Sequence, residues 1–237
     1  MRLCLIRSVW DYHLRYDEFL AWLDSLPAGM QVWNPPDVLL WNSHKGYLRE
    51  LETKGVPIVP TEWFSPGDSP DLESLVRQNG WDAVVVKPVV SADGHNTSLF
   101  GASDIGLGQK HLEALLSDGE AMVQRFMDEV QASGERCVIE IGGEITHAVQ
   151  KTTVFDPTFE DRPPLIEITE EETRLARAAI AAASFDHLYA RVDIVRDERG
   201  APRLMELEMF EPTLYFVEEP ESAERFADRV VELLGIG

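Results

Sequence analysis

Apolar residues recur along the chain with two spacings, and each spacing predicts a different kind of element. Helical spacing predicts helices over residues 16–26, 44–54, 71–79, 104–117, 169–183 and 220–234. Short apolar runs predict strands over residues 3–6, 83–86, 122–126, 136–141, 144–151, 188–196 and 202–209. Residues 65–70, with two prolines and a glycine, predict a linker, whereas residues 152–168 show no clear period. This mixture predicts an α/β (α+β) fold.

Composition limits the classes of partner. The 237 residues carry 42 acidic side chains against 21 basic ones, which gives a formal net charge of −21. We therefore expect no nucleic acid and no anionic membrane surface as partner, because both attract basic proteins. No segment approaches the roughly 20 apolar residues of a membrane span. Cys4 and Cys137 are too few for a disulfide framework, so we expect a cytoplasmic protein.

The chemistry is concentrated in the hairpin predicted over residues 188–209. If its turn lies between residues 199 and 200, Asp193 faces Glu206 and Arg191 faces Glu208 on one side, with Met205 on the core side. Three converging carboxylates repel one another unless a cation neutralises them, and hard oxygen ligands suit Mg²⁺. An exposed hairpin face of alternating charge fits the same pattern equally well.

Two further features suit a bound phosphate. Lys87 ends a buried apolar run and precedes a polar loop, residues 91–97, that contains Gly94. A phosphate is a natural partner for such an ammonium group, although a solvated turn fits the pattern too. In the hairpin turning at residues 142–143, we expect Arg136 and Lys151 to share a face. Two cations there indicate an anion, and surface salt bridges explain them as well.

The order of these parts resembles the ATP-grasp superfamily. A Lys-Pro pair with a glycine-containing loop, an extended segment at residues 122–126, Gly-Glu-Arg, a second lysine, Arg-x-Asp and Glu-x-Glu follow one another. The chain looks most like the group related to prokaryotic glutathione synthetase, and within it the cycloserine-forming ligases. Residues 41–48 and 55–61 resemble the segment before the grasp module, and residues 7–12 and 19–22 resemble the late part of the N-terminal domain.

The resemblance implies roles for individual residues around ATP and Mg²⁺. Those expected to bind the nucleotide are Lys45 and Lys87 on the α- and β-phosphates, Ser91, Gly94, Asn96 and Thr97 in the lid, and Gln124, Arg125, Phe126 and Met127 in the adenine hinge. The catalytic set is Arg136, Lys151 and Arg191, and the Mg²⁺ ligands are Asp193, Glu206 and Glu208. The substrate candidates are Arg7, Trp10, Tyr12 and Glu211. Glu208 stands where the usual pattern has asparagine, which adds a charge.

The implied fold has two α+β subdomains that grip ATP, preceded by a shortened Rossmann-like unit. The expected domains are residues 1–60 before the grasp module, residues 61–120 as central and lid subdomain, and residues 121–237 as C-terminal subdomain with the metal site. The implied activity joins a small amino-acid-like carboxylate to an amine through an acyl-phosphate. The alternative is a nucleotide-binding protein without ligase activity, because the N-terminal domain is short. An unpaired first strand would also allow a homodimer.

Overall fold

The computed structural model describes residues 3–152 and 162–235. Residues 153–161 belong to the segment that shows no sequence period, and they lie outside the described residues. Residues 1–2, at the start of the first expected domain, and residues 236–237, at the end of the last one, lie outside them too. Among the described residues, no helix is both long and apolar enough to cross a bilayer.

Ten strands and eight helices alternate along the described chain. The strands are β1 (Leu3–Leu5), β2 (Gln31–Trp33), β3 (Thr61–Phe64), β4 (Ala83–Pro88), β5 (Ser98–Gly101), β6 (Ala121–Arg125), β7 (Glu135–Ile141), β8 (Glu144–Lys151), β9 (Tyr189–Arg196) and β10 (Pro202–Glu208). The helices are α1 (Tyr16–Asp24), α2 (Pro36–Asn42), α3 (Tyr47–Thr53), α4 (Leu72–Asn79), α5 (Ile105–Asp118), α6 (Glu129–Ser133), α7 (Glu170–Ala183) and α8 (Pro220–Leu234).

The strands form three sheets. Strands β1 and β2 are parallel and make a small N-terminal pair. One four-stranded antiparallel sheet has the order β3-β6-β4-β5, and the other has the order β10-β9-β7-β8. Because β6 lies between β3 and β4, the domain boundary expected between residues 120 and 121 cuts through the first of these sheets.

Helices cover the outer face of each large sheet. Helix α7 begins with a capping box, in which Thr169 and Glu172 bond each other's backbone N–H groups, and its alanine face packs on β9 and β10. Helices α4 and α5 cover the other sheet through a cluster that includes Leu72 and Leu112. The inner faces of both sheets are left to line a site.

A short extended segment joins the two sheets at one end. The N–H of Val59 donates to the carbonyl of Leu204, and the N–H of Leu204 donates to the carbonyl of Pro57, both at 2.9 Å. The outer edge of β10 is thereby paired with the extended segment around Ile58. This junction holds the inner faces of the sheets close together at the end where their apolar residues meet.

Most predicted elements are confirmed. The elements that were not predicted are β2, β3, β5, α2 and α6, which carry three to seven residues each, too few for a clear period to emerge from the pattern. The predicted helix over residues 44–54 begins later, at Tyr47. The linker over residues 65–70 lies between β3 and α4, as predicted.

Candidate active site

A cavity of about 430 Å³ lies between the inner faces of the two large sheets. Its apolar end is lined by aliphatic, aromatic and thioether side chains from both sheets: Val59, Val85, Phe126, Met127, Val130, Val195 and Met205. Its opposite end is lined by charged side chains: Lys45, Lys87, Glu135, Lys151, Arg191, Glu206, Glu208 and Glu211. The arrangement gives a slot for a flat apolar group at one end and a strongly polar chamber at the other.

Two buried lysines stand in the polar chamber. Lys45 Nζ donates to the carbonyl of Ser91 at 2.9 Å and binds the carboxylate of Glu206. Burial alone would lower the pKa of Lys45, but the charge of Glu206 outweighs it and raises that pKa. Lys87 Nζ donates to Gln124 Oε1 at 3.2 Å, and burial lowers the pKa of Lys87. Both predicted phosphate-binding lysines therefore face the same cavity, 42 residues apart in sequence.

The carboxylates of the β9–β10 hairpin converge as predicted. Asp193 pairs with Glu206 and Arg191 pairs with Glu208. One oxygen from each of the three carboxylates lies within 4.8 Å of the others. Arg191 donates two 2.8 Å bonds to Asp193 and a further bond to Glu208, so one guanidinium partly neutralises the group. This set of hard oxygen donors fits Mg²⁺.

Glu206 is held in its charged form. Burial alone would raise its pKa, but the charges of Lys45 and Lys87 lower it to about 2. Glu208 differs, because burial raises its pKa well above the ordinary range. The two acidic residues of the Glu-x-Glu motif are therefore electrostatically unequal.

A β-bulge moves Met205 away from its expected position. The register shifts between Leu204 and Glu206, so Met205 is the unpaired residue. Leu204 and Leu207 both stay in the core, and Met205 lines the cavity instead of the core face.

Arg136 lies on the face opposite to the one expected. Strands β7 and β8 contain a register shift between Ile139 and Glu140, which places Glu135, not Arg136, beside Lys151. A one-residue slip turns every following side chain to the other face of the sheet. Arg136 therefore points toward α7, where its Nε donates to Glu172 at 2.6 Å. Lys151 lines the cavity as predicted, with its ammonium 3.5 Å from the carboxylate of Glu135.

The polar loop after β4 borders the polar end of the cavity. Ser91, Gly94 and Thr97 line it, as does Asp93, whereas Asn96 does not. Asp93, Gly94 and Asn96 all have positive φ angles, between 52° and 67°. The loop is therefore tightly turned, and Asn96 uses its carbonyl to accept a 2.9 Å bond from His111.

The predicted hinge borders the apolar end. Gln124, Arg125, Phe126 and Met127 all line the cavity. The N–H groups of Arg125 and Phe126 donate to the carbonyls of Pro60 and Ala83 at 2.9 Å, so neither is free for a ligand. An adenine that is recognised by the backbone of this hinge would have to bond to other backbone groups than these two N–H groups.

Two of the four substrate candidates reach the cavity. Trp10 and Glu211 line it, and burial raises the pKa of Glu211 to about 7. Tyr12 is buried in the N-terminal core, with its hydroxyl 3.2 Å from the carbonyl of Ser43. Arg7 lies outside the wall, among aromatic rings.

The comparisons agree with this geometry. Residues 1–34 match the family described as D-cycloserine synthetase DcsG, N-terminal domain. The cycloserine biosynthesis protein DcsG of Streptomyces lavendulae is 28% identical over 246 residues, which cover 97% of this chain and 82% of that protein. The crystal structure of D-cycloserine synthetase DcsG superposes with a TM-score of 0.91 at 25% identity, over 99% of this chain and 84% of that one.

A more distant structure supplies the fold name. The ATP-grasp ligase PsnB, complexed with its minimal precursor, Mg and ADP, gives a TM-score of 0.56 at 21% identity over 83% of this chain and 56% of its own. The chain therefore has the fold of the ATP-grasp ligases.

Mg and ADP in the PsnB complex are of the same kind as the cofactors expected for this chain from its sequence. Three polar side chains that line the cavity were not singled out from the sequence: Glu135, Thr213 and Tyr215. Glu135 is adjacent to the predicted Arg136, so a correct register would have found it. Thr213 and Tyr215 lie in an irregular segment, where no period assigns a face.

Proposed function

We propose that this ATP-dependent ligase activates a small amino-acid-like carboxylate as an acyl-phosphate and transfers the acyl group to an amine. The observation that carries the proposal is the meeting of three lysines and three hairpin carboxylates in one cavity. Lys45 comes from the turn between α2 and α3, Lys87 from β4 and Lys151 from β8, and the carboxylates of one hairpin stand among them. A polyphosphate bound through Mg²⁺ matches both sets of charges at once.

The lysines would neutralise the phosphates. Lys45 and Lys87 lie beside the loop of residues 91–97 and suit the α- and β-phosphates, while Lys151 suits the γ-phosphate. Asp193, Glu206 and Glu208 would hold Mg²⁺, which supplies further charge neutralisation at the phosphate oxygens. Lys45 is also paired with Glu206, so a phosphate at Lys45 would share the ammonium with this carboxylate.

The reaction would have two balanced steps. A carboxylate oxygen of the substrate attacks the γ-phosphorus, the bond from that phosphorus to the β–γ bridging oxygen breaks, and ADP leaves. The amine nitrogen then attacks the acyl carbon, loses its proton, and displaces inorganic phosphate. Lys151 and Arg191 line the cavity where charge develops on the transferring oxygens, and preorganised cations there stabilise the transition state.

The far side of the chamber suits the amino group of an amino-acid-like substrate. Glu211 contributes a buried carboxylate, and Trp10 and Tyr215 contribute aromatic surfaces beside it. An ammonium group is attracted by both kinds of side chain. The similarity to a protein of cycloserine biosynthesis supports substrates of this size.

The decisive experiment is a screen of pooled amino acids and carboxylates for Mg·ATP-dependent release of ADP. We expect Lys87→Ala and Glu206→Ala each to abolish the substrate-dependent release, and Lys110→Ala, on the exposed face of α5, to leave it unchanged. Wild-type turnover in either site variant would overturn the site assignment. An oxygen isotope placed in the substrate carboxylate should appear in the released phosphate, because one carboxylate oxygen leaves with it.

The same screen tests the alternative function. A protein that binds Mg·ATP, seen as a rise in melting temperature, but releases ADP with no pool would be a nucleotide-binding protein without ligase activity. A label that stays out of the phosphate would contradict the acyl-phosphate while leaving the ligase activity standing.

A further inference from the structure

Arg7 occupies an aromatic cage behind the wall of the cavity. Its guanidinium carbon lies 4.8 Å from the ring centre of Tyr189, 5.7 Å from that of Phe216 and 5.5 Å from that of Phe226. Among residues 3–152 and 162–235, no carboxylate comes within 4.0 Å of this guanidinium. One terminal nitrogen, Nη1, is buried and has no hydrogen-bond partner in the same part of the chain.

A half-buried arginine that has no counter-ion among the described residues is an unfavourable choice for packing alone. Burial lowers the pKa of Arg7, which is the signature of a cation that has lost its water. An aliphatic side chain would fill an aromatic cage without this desolvation. The presence of a cation at position 7 is therefore best explained by the chain segment to which Arg7 donates a hydrogen bond.

Arg7 holds the segment that forms the far wall of the cavity. We call residues 210–216 the acceptor loop. Side chains alternate along it: Glu211, Thr213 and Tyr215 line the cavity, whereas Phe210 and Leu214 are buried behind it. Arg7 Nη2 donates to the carbonyl of Pro212 at 3.3 Å, from the side away from the cavity.

Three successive carbonyl groups of the acceptor loop are held by side chains. The Tyr189 hydroxyl is shared between the carbonyls of Ile6 and Phe210, the latter at 3.0 Å. Trp10 Nε1 donates to the carbonyl of Glu211 at 2.9 Å, and Arg7 donates to that of Pro212. Two of these donors lie three residues apart in the N-terminal segment. An irregular segment cannot satisfy its carbonyls in a strand ladder, so these bonds determine its path.

The loop also contains a strained residue next to the cage. Tyr215 has a φ of 49°, in the left-handed region that non-glycine residues rarely adopt. Such a conformation persists only where its surroundings fix it. Phe216, the residue after Tyr215, is one of the three aromatic rings that contact Arg7. Packing against Arg7 therefore fixes the residue next to the strained Tyr215.

We propose that Arg7 is a positioning residue for the acceptor substrate, acting through the acceptor loop without contacting the substrate itself. Its guanidinium fixes the loop so that Glu211, Thr213 and Tyr215 face the cavity. This inference rests on the proposed function, since it assigns the far side of the chamber to the substrate. It replaces the expected direct contact of Arg7 with the substrate.

The test compares Arg7→Met with Arg7→Lys and with a matched control. Methionine fills the cage but removes the charge and the donor, and lysine restores the charge. Arg49 stacks on Trp63 at 5.0 Å outside the cavity, so Arg49→Met removes a similar cation from another aromatic ring. We expect Arg7→Met to raise the KM for the substrate found in the screen by about 10-fold or more, while the KM for ATP changes by less than about twofold.

Arg7→Lys should recover part of the substrate KM, and Arg49→Met should match the wild type. An unchanged substrate KM in Arg7→Met would overturn the inference. So would equal rises in both KM values together with a lower melting temperature, because those indicate general destabilisation.

A second measurement needs no substrate and separates this inference from the proposed function. Hydrogen–deuterium exchange of the free protein should become faster within residues 210–216 in Arg7→Met, with the strands of both large sheets unchanged. Unchanged exchange in the loop would overturn the positioning role even if the ligase activity is found. Faster exchange confined to the loop would support it even if the screen finds no substrate.

Discussion

Glu135 and Lys151 face each other across the ladder between β7 and β8, with 3.5 Å between the carboxylate Oε2 and the ammonium Nζ. The charge of Glu135 raises the pKa of Lys151, which keeps the ammonium charged at the polar end of the cavity. Glu135 thereby holds Lys151 at the place where we propose that it neutralises a phosphate.

Replacing Lys151 should mainly lower catalysis. We expect Lys151→Ala to reduce kcat for ADP release about 100- to 1000-fold, because one preorganised cation is lost where charge develops. Single-turnover kinetics with Mg·ATP and the substrate from the screen would measure the effect. Lys110→Ala removes a lysine from an exposed helix position and should retain wild-type kcat. A Lys151→Ala enzyme within a few-fold of wild type would remove Lys151 from the mechanism.

Gly134 determines where the backbone of Lys151 lies. Its φ is +63°, and an added Cβ would meet the Lys151 carbonyl oxygen at 2.5 Å. Gly80 has nearly the same φ, +64°, with no atom within 4 Å of such a Cβ. We expect Gly80→Ala to lower the free energy of unfolding by about 1 kcal/mol, from the backbone conformation alone. Gly134→Ala should lower it further and also lower kcat, because Lys151 must shift.

The two glycine variants are compared by urea unfolding and by steady-state kinetics. Equal losses of stability in the pair would mean that the contact with Lys151 relaxes without consequence. A normal kcat in Gly134→Ala would show that the position of Lys151 is not set from this side.

Arg136 should prove a structural residue. Glu172 accepts bonds from Arg136 and also from Arg196, both at 2.6 Å, and it is fully buried. Removing one arginine leaves part of that buried carboxylate unsatisfied, so Arg136→Ala should lower the free energy of unfolding by about 2 kcal/mol. Its KM for ATP should stay at the wild-type value. A large fall in kcat at unchanged stability would instead restore the catalytic role expected from the sequence.

The His187–Glu140 pair should make stability depend on pH. Burial disfavours the charged imidazole, but its 2.7 Å bond to Glu140 outweighs this and raises the pKa of His187 above the ordinary 6.5. The pair therefore stabilises the fold fully below pH 6.5, and this stabilisation is lost as the pH rises through the elevated pKa.

His187→Gln is the variant that tests this dependence. Urea unfolding at pH values well below and well above the His187 pKa should show wild type more stable than the variant at low pH, with the difference shrinking at high pH. A difference that is constant across the range would mean that the pair contributes through packing alone.

The two hairpins show what the sequence can and cannot predict. In β9–β10, the predicted pairing of Asp193 with Glu206 is confirmed beyond the bulge at Met205. In β7–β8, the register shift near Glu140 lies between the turn and the cavity. The residue opposite Lys151 is therefore Glu135, whereas the unshifted register predicted Arg136 on the face of Lys151. A bulge leaves no mark on hydrophobic alternation when it adds one residue to a half-exposed strand. The positions of the two turns could be predicted from their glycines, but the strand register beyond each turn could not.

Two of the substrate candidates lie outside the cavity for a different reason. The side chain of Arg7 packs among aromatic rings from residues more than 180 positions later, and Tyr12 is buried in the N-terminal core. Such long-range packing has no local pattern. Lys87 was found because a charged residue at the end of an apolar run is conspicuous in a sequence. Glu206 was found from the predicted pairing of the hairpin, and Lys45 only through the family resemblance.

The Lys45–Glu206 ion pair also has a consequence for synthesis of the chain. Lys45 leaves the ribosome 161 residues before its partner. Until β10 has emerged, both Lys45 and Lys87 lack the carboxylate that compensates their burial, so the space between the sheets cannot close around them. The polar end of the cavity can therefore mature only after β10 has emerged, and a nascent chain that stops short of Glu206 cannot assemble it.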